Sequence, residues 1–118
     1  MSTREIPKDQ WQGALDRFSR DHEGCVARIS ITPRDRPLQI EARDLPLQGV
    51  SRDSHRNDTI AIALGDRRDD HLTHEVSAPV RLVVEESGRG DQASLCIGTA
   101  EGTTVQVECR EHHKAEQA

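Results

Sequence analysis

Tyrosine is absent from this sequence, and Trp11 and Phe18 are its only large aromatic residues. Aromatics are 2% of the 118 residues, which excludes the stacking platforms that proteins use to grip single strands of nucleic acid. A basic stripe of the kind that follows a duplex is missing too, since the net charge is −5 and the two signs are interleaved along the chain. No nucleic-acid partner is expected. Lysine is scarce. Of 16 basic residues only Lys8 and Lys114 are lysine, which leaves 14 arginines to form planar, paired contacts with the many carboxylates.

Long hydrophobic runs are also lacking. Nothing approaches the roughly 18 apolar residues of a membrane-spanning helix, and the opening "MSTREIPKDQ" has no apolar core of a secretion signal. The expectation is a soluble, cytoplasmic chain with no membrane partner. Cysteine occurs three times, as Cys25, Cys96 and Cys109, widely spaced and with no C-x-x-C. That pattern argues against a zinc ribbon or a disulfide framework, and predicts reduced thiols that serve as small hydrophobes. A redox response through one of them has no activating motif behind it.

What is present points to one lean domain, because hydrophobic residues (33%) barely outnumber charged ones (31%). In "IPKDQWQGALDRFSRDHEG" the residues Trp11, Ala14, Leu15 and Phe18 recur at helical spacing, which predicts a helix anchored by its aromatics. Pro7 suits its first turn, and Gly24 offers a left-handed stop. After Gly24 the period changes to 2. "CVARISI", "LQIEARDL", "LQGV", "TIAIAL", "HEVSAPVRLVVEE", "ASLCIGT" and "TTVQVEC" read as short strands, with a break at Pro79 and with Val80, Leu82 and Val84 on one face. The last two read as a hairpin around Glu101-Gly102. Connections this short favour antiparallel pairing. The predicted class is α+β: an N-terminal helix on a bent antiparallel sheet of six or seven short strands, an SH3-like or Sm-like small barrel by element order. The domain is expected over residues 1–111, with a polar tail at 112–118.

The strings "STREIP", "EARDLPLQGVS", "DTIAIALGD" and "DDHLTHEVSAP" resemble those of a prokaryotic domain-of-unknown-function family, DUF5335, over nearly the whole chain. The resemblance implies a single small domain and transfers no activity, ligand or partner. It also implies an aromatic pair in the helix's second turn, where this chain has Gly13, Ala14 and Leu15, a departure expected to loosen helix docking.

Candidate chemistry concentrates in "GDRRDDHLTHEV", where His71 and His74 sit among Asp66, Asp69, Asp70 and Glu75. On a strand, histidines three apart point to opposite faces, so His74 aligns with Leu72 and Val76 while His71 aligns with Thr73 and Glu75. One ion held by Asp70, His71 and His74 therefore requires the turn to curl back, and a zinc site needs further ligands from elsewhere. The competing reading is a partly buried His74, a pH-sensitive point of the fold, beside a solvated acidic turn. "RDDH" is half of a nucleophilic triad, with no serine or cysteine on a nucleophile elbow. No calcium loop or phosphate-cradling loop is present, and "SGRGDQ" reads as a solvated turn. No catalytic or cofactor-binding residues are assigned. The sequence favours a non-enzymatic module that binds an unknown protein partner or itself, with metal binding at Asp70, His71 and His74 as the alternative.

Overall fold

Pro7, with φ −61°, sets the direction in which the chain leaves the first strand and enters a 3-10 turn at Lys8–Gln10. An α-helix follows, α1 (Trp11–His22), whose buried stripe is Trp11, Leu15, Phe18 and His22. It stops where Gly24 adopts φ +84°, a conformation that costs glycine little. These features come from a computed structural model, which describes residues 2–53, 58–65, 72–88 and 92–110, with only the backbone described for Ala42 and Arg43. The aromatics anchor the helix as expected. The Trp11 Nε1–H donates to the Ile6 carbonyl at 2.9 Å, and the ring is almost fully enclosed. Leu15 is fully buried, so the helix is docked despite the small residues beside it.

The strands are β1 (Ser2–Glu5), β2 (Val26–Thr32), β3 (Gln39–Asp53), β4 (Thr59–Leu64), β5 (Leu72–Ser77), β6 (Pro79–Glu86), β7 (Gln92–Thr99) and β8 (Thr104–Arg110). They form one eight-stranded sheet in the order β1-β6-β7-β8-β2-β3-β4-β5, and every neighbouring pair is antiparallel. The class is α+β. Two corners fold the sheet over on itself. At the first, Asp44 (φ 55°) and a bulge between Leu47 and Gly49 carry β3 from pairing with β2 to pairing with β4. At the second, Ala78 (φ 53°) turns the chain from β5 into β6. Ile60, Ile62 and Leu64 of β4 are thereby buried in one core with Leu82, Leu95, Ile97 and Val107 from β6, β7 and β8.

A closed SH3-like or Sm-like barrel does not form. Closure needs the terminal strands of the sheet to pair. Among the described residues the terminal strands β1 and β5 do not pair: β5 and β6, consecutive in sequence, part company at Ala78, and β6 is instead flanked by β1. β1 is the strand that takes the number beyond the expected six or seven. The break in "HEVSAPVRLVVEE" falls at Ala78, one residue before the expected Pro79. Val80 does not share the buried face of Leu82 and Val84. The β6–β7 register shifts between Pro79 and Arg81, so Pro79 is buried and Val80 is 58% exposed.

The cysteine expectation also needs correction. Cys25 and Cys109 form a disulfide, with Cα atoms 5.7 Å apart and a sequence separation of 84. Pairing of β2 with β8 places Ala27 opposite Cys109, which brings Cys25 within reach. Cys96 is the free cysteine among the described residues.

Candidate interaction surface

Backbone polarity along β5 follows from a side chain on the helix. The Val50 amide donates to Ser19 Oγ at 2.8 Å, and Ser19 Oγ lies 3.0 Å from the Val50 carbonyl. The peptide groups of Val50 therefore face α1 and not β4. In an antiparallel ladder both members of a pair face each other or both face away. Ile62, opposite Val50, thus directs its N–H and C=O toward β5, where it meets His74. The Ala78 amide donating to the Asp58 carbonyl at 3.1 Å falls in the same phase. Leu72, His74 and Val76 consequently bond to β4, while the amides and carbonyls of Thr73 and Glu75 point away from the sheet.

No strand among the described residues pairs with that outer side of β5, since β5 ends the strand order. Its side chains alternate as the sequence predicts. Val76 is buried, Leu72 and His74 are half-buried on the same face, and Thr73, Glu75 and Ser77 are exposed. The metal candidate divides accordingly. His74 lies on the inner face of β5, whereas Asp70 and His71 fall outside the described residues. Among the described residues no group of three or more His, Cys, Asp or Glu side chains is arranged to hold a metal ion.

The opposite end of the sheet is guarded differently. All four residues of β1 are exposed, and two of them are charged. Glu5 meets Arg81 at 3.3 Å, and Arg4 lies 4.0 Å from Glu86. Charge on an edge strand discourages further pairing. β5 carries one carboxylate and neither lysine nor proline.

Two grooves also mark the surface of the described residues. One, of about 350 Å³, lies between α1 and the β1–β6 edge, where Gly13 and Ala14 leave room beside Phe18 and Val84. Near it the His22 ring packs against Phe18 at 4.6 Å between centroids and places Nε2 3.4 Å from Glu86 Oε2. The other, of about 310 Å³, crosses the outer face of β6, β7, β8 and β2. Its carboxylates are partnered. Glu85 accepts from Ser94 Oγ at 3.1 Å and from Thr3 Oγ1 at 3.3 Å, Glu108 lies 3.8 Å from Arg28, and Asp44 lies 3.8 Å from Arg110. Partnered carboxylates of this kind are the cross-strand pairs of a solvated sheet face. Burial pushes the Cys96 thiol up, with Arg81 opposing and Glu85 assisting, so its nucleophilic thiolate is depleted.

Sequence reading missed a further constellation at the start of the helix. The Arg52 guanidinium donates through Nε to Asp58 Oδ1 at 2.9 Å and through Nη2 to Oδ2 at 3.0 Å. Lys8 Nζ adds a contact of 3.3 Å to the same carboxylate, and Arg52 stands 5.0 Å from the Trp11 ring centroid. This paired network pins the β3–β4 end to α1. It is an anchor and has no free acid or base to offer a substrate.

A small α+β domain with an open antiparallel sheet is the class of protein that emerges. The chain belongs to a family of unknown function, DUF5335, whose family model matches residues 2–118. It is similar to an uncharacterized protein of Aquifex aeolicus (strain VF5), being 27% identical over 103 residues that span 87% of each chain. No solved structure matches it. No helix among the described residues is long and apolar enough to cross a membrane.

Proposed function

We propose that this domain is a non-enzymatic interaction module that takes up an extended protein segment, from a partner or from a second copy, along the outer edge of β5. The observation that carries the reading is the row of outward-facing backbone groups at Thr73 and Glu75 on a strand that ends the sheet order. Strand addition supplies main-chain hydrogen bonds to such an edge and reads alternate side chains through the adjoining face. Half-buried Leu72 and His74 offer that face here. Metal binding at Asp70, His71 and His74 is the alternative from another class.

Native mass spectrometry of the untagged protein, with elemental analysis of the same sample, separates the two. The interaction reading predicts a metal-free assembly that Glu75→Pro weakens and His71→Ala leaves intact. Proline at 75 takes away an outward amide only, which an edge strand tolerates. A stoichiometric transition metal that is lost in His71→Ala would replace this reading with the metal-binding one. An assembly indifferent to Glu75→Pro would place the contact elsewhere on the molecule.

A further inference from the structure

We infer that the segment received by β5 is β5 of a second copy, paired antiparallel about a two-fold axis that passes beside His74. The inference rests on the reading of β5 as the docking edge and adds the occupant and its register.

A two-fold axis normal to the sheet keeps the faces of both copies aligned, so it pairs residues of like parity only. The register centred on His74 sets each Thr73 opposite Glu75 of the other copy and each Leu72 opposite Val76 of the other copy. Thr73 and Glu75 are the residues whose peptide groups point outward, so each such pair exchanges both backbone hydrogen bonds. On the exposed face a threonine hydroxyl then meets a carboxylate. On the inner face half-buried Leu72 gains an apolar neighbour at the end of the core. His74 faces its own counterpart at the axis.

Neighbouring registers are poorer. Centring on Glu75 would set two carboxylates directly opposite, which is unfavourable. Centring on Thr73 would carry Val76 beyond the pairing and leave it without its apolar partner. The other sheet end is the lesser candidate, because β1 is short, exposed throughout and charged at Arg4 and Glu5. The strand β5 is thus self-complementary in a single register, and a second copy supplies every group its edge calls for.

Sedimentation velocity on the whole chain tests this with variants that address the axis and the edge separately. Wild-type protein is expected to form a dimer, and Glu75→Pro to weaken it about tenfold or more by removing an amide donor from each copy. His74→Glu and His74→Lys alone are each expected to be monomeric, since like charges meet at the axis, while an equal mixture of the two dimerises. Circular dichroism checks that each variant is folded, and Glu75→Pro carries the test if the charged variants are not. A wild-type monomer at several hundred micromolar would overturn the second copy as occupant while leaving β5 as an edge for another segment. A dimer whose affinity is unchanged in Glu75→Pro would overturn both. A mixture that stays monomeric, from variants that fold, would overturn the register.

Discussion

The core of this fold is chiefly apolar, and polar side chains fix it at particular places. Ser19 is one. Its hydroxyl accepts from the Val50 amide and shares its one proton between the Val50 and Leu15 carbonyls, at a place where β3 has left its partner β2 and the helix covers its edge. Ser19→Ala strands those groups in a partly buried site and is expected to cost about 1–3 kcal/mol, read as a lower urea midpoint at unchanged slope. Asp58 is another. Hydrogen bonds from Arg52 hold its carboxyl below the usual range, partial burial opposes them, and Lys8 adds to the lowering. The folded state therefore binds fewer protons than the unfolded one. This contribution is complete above about pH 4 and is lost as pH falls through the lowered folded value. Asp58→Asn is expected to be less stable than wild type at pH 7 and to lose the difference under acid, checked by denaturation midpoints from pH 2 to 7. A variant whose deficit persists unchanged at pH 2 would place the stabilisation elsewhere.

At the scale of elements, the disulfide is the strongest constraint. Cys25 and Cys109 tie the start of β2 to the end of β8 across 84 residues of sequence. Closing a loop of that size restricts the unfolded chain by about 4 kcal/mol or slightly more. Reductant is expected to lower the thermal midpoint by ten degrees or more for about that loss, and Cys25→Ala to reproduce the shift without reductant. Cys96→Ala, a change at the free thiol, should leave the response to reductant in place. The elements differed in how legible they were. Helix α1 could be read because Trp11, Leu15 and Phe18 repeat on one face, and β4 because Ile60, Ile62 and Leu64 alternate with smaller neighbours. β1 was hidden, since all four of its residues are exposed and its pairing is set by Val83–Glu86, some eighty residues away. The exposure of Val80 depends on a register slip that alternation alone does not encode. The cysteine pairing was unreadable for the same reason: it needs β2 beside β8, a fact of strand order.

For the molecule as a whole, strand order also carries the proposed function. Alternation within "LTHEVS" is enough to place Leu72, His74 and Val76 on one face, and the structure agrees. That this strand ends the sheet, and that Thr73 and Glu75 turn their peptide groups outward, emerges only once Ser19, Val50 and Ile62 are brought into line. The proposed docking edge was therefore half visible, in its side chains and not in its backbone. The same whole-molecule view separates the two ends of the sheet, one closed off by charged β1 and the other presenting β5.

Amide hydrogen exchange at Thr73, compared between dilute and concentrated protein, tests the role of β5 most directly. The Thr73 amide is expected to exchange rapidly when dilute and to gain protection on concentration, in parallel with assembly, while the His74 amide, bonded to β4, stays protected throughout. Association with no change at Thr73 would contradict the account, because the assembling surface would then lie away from β5.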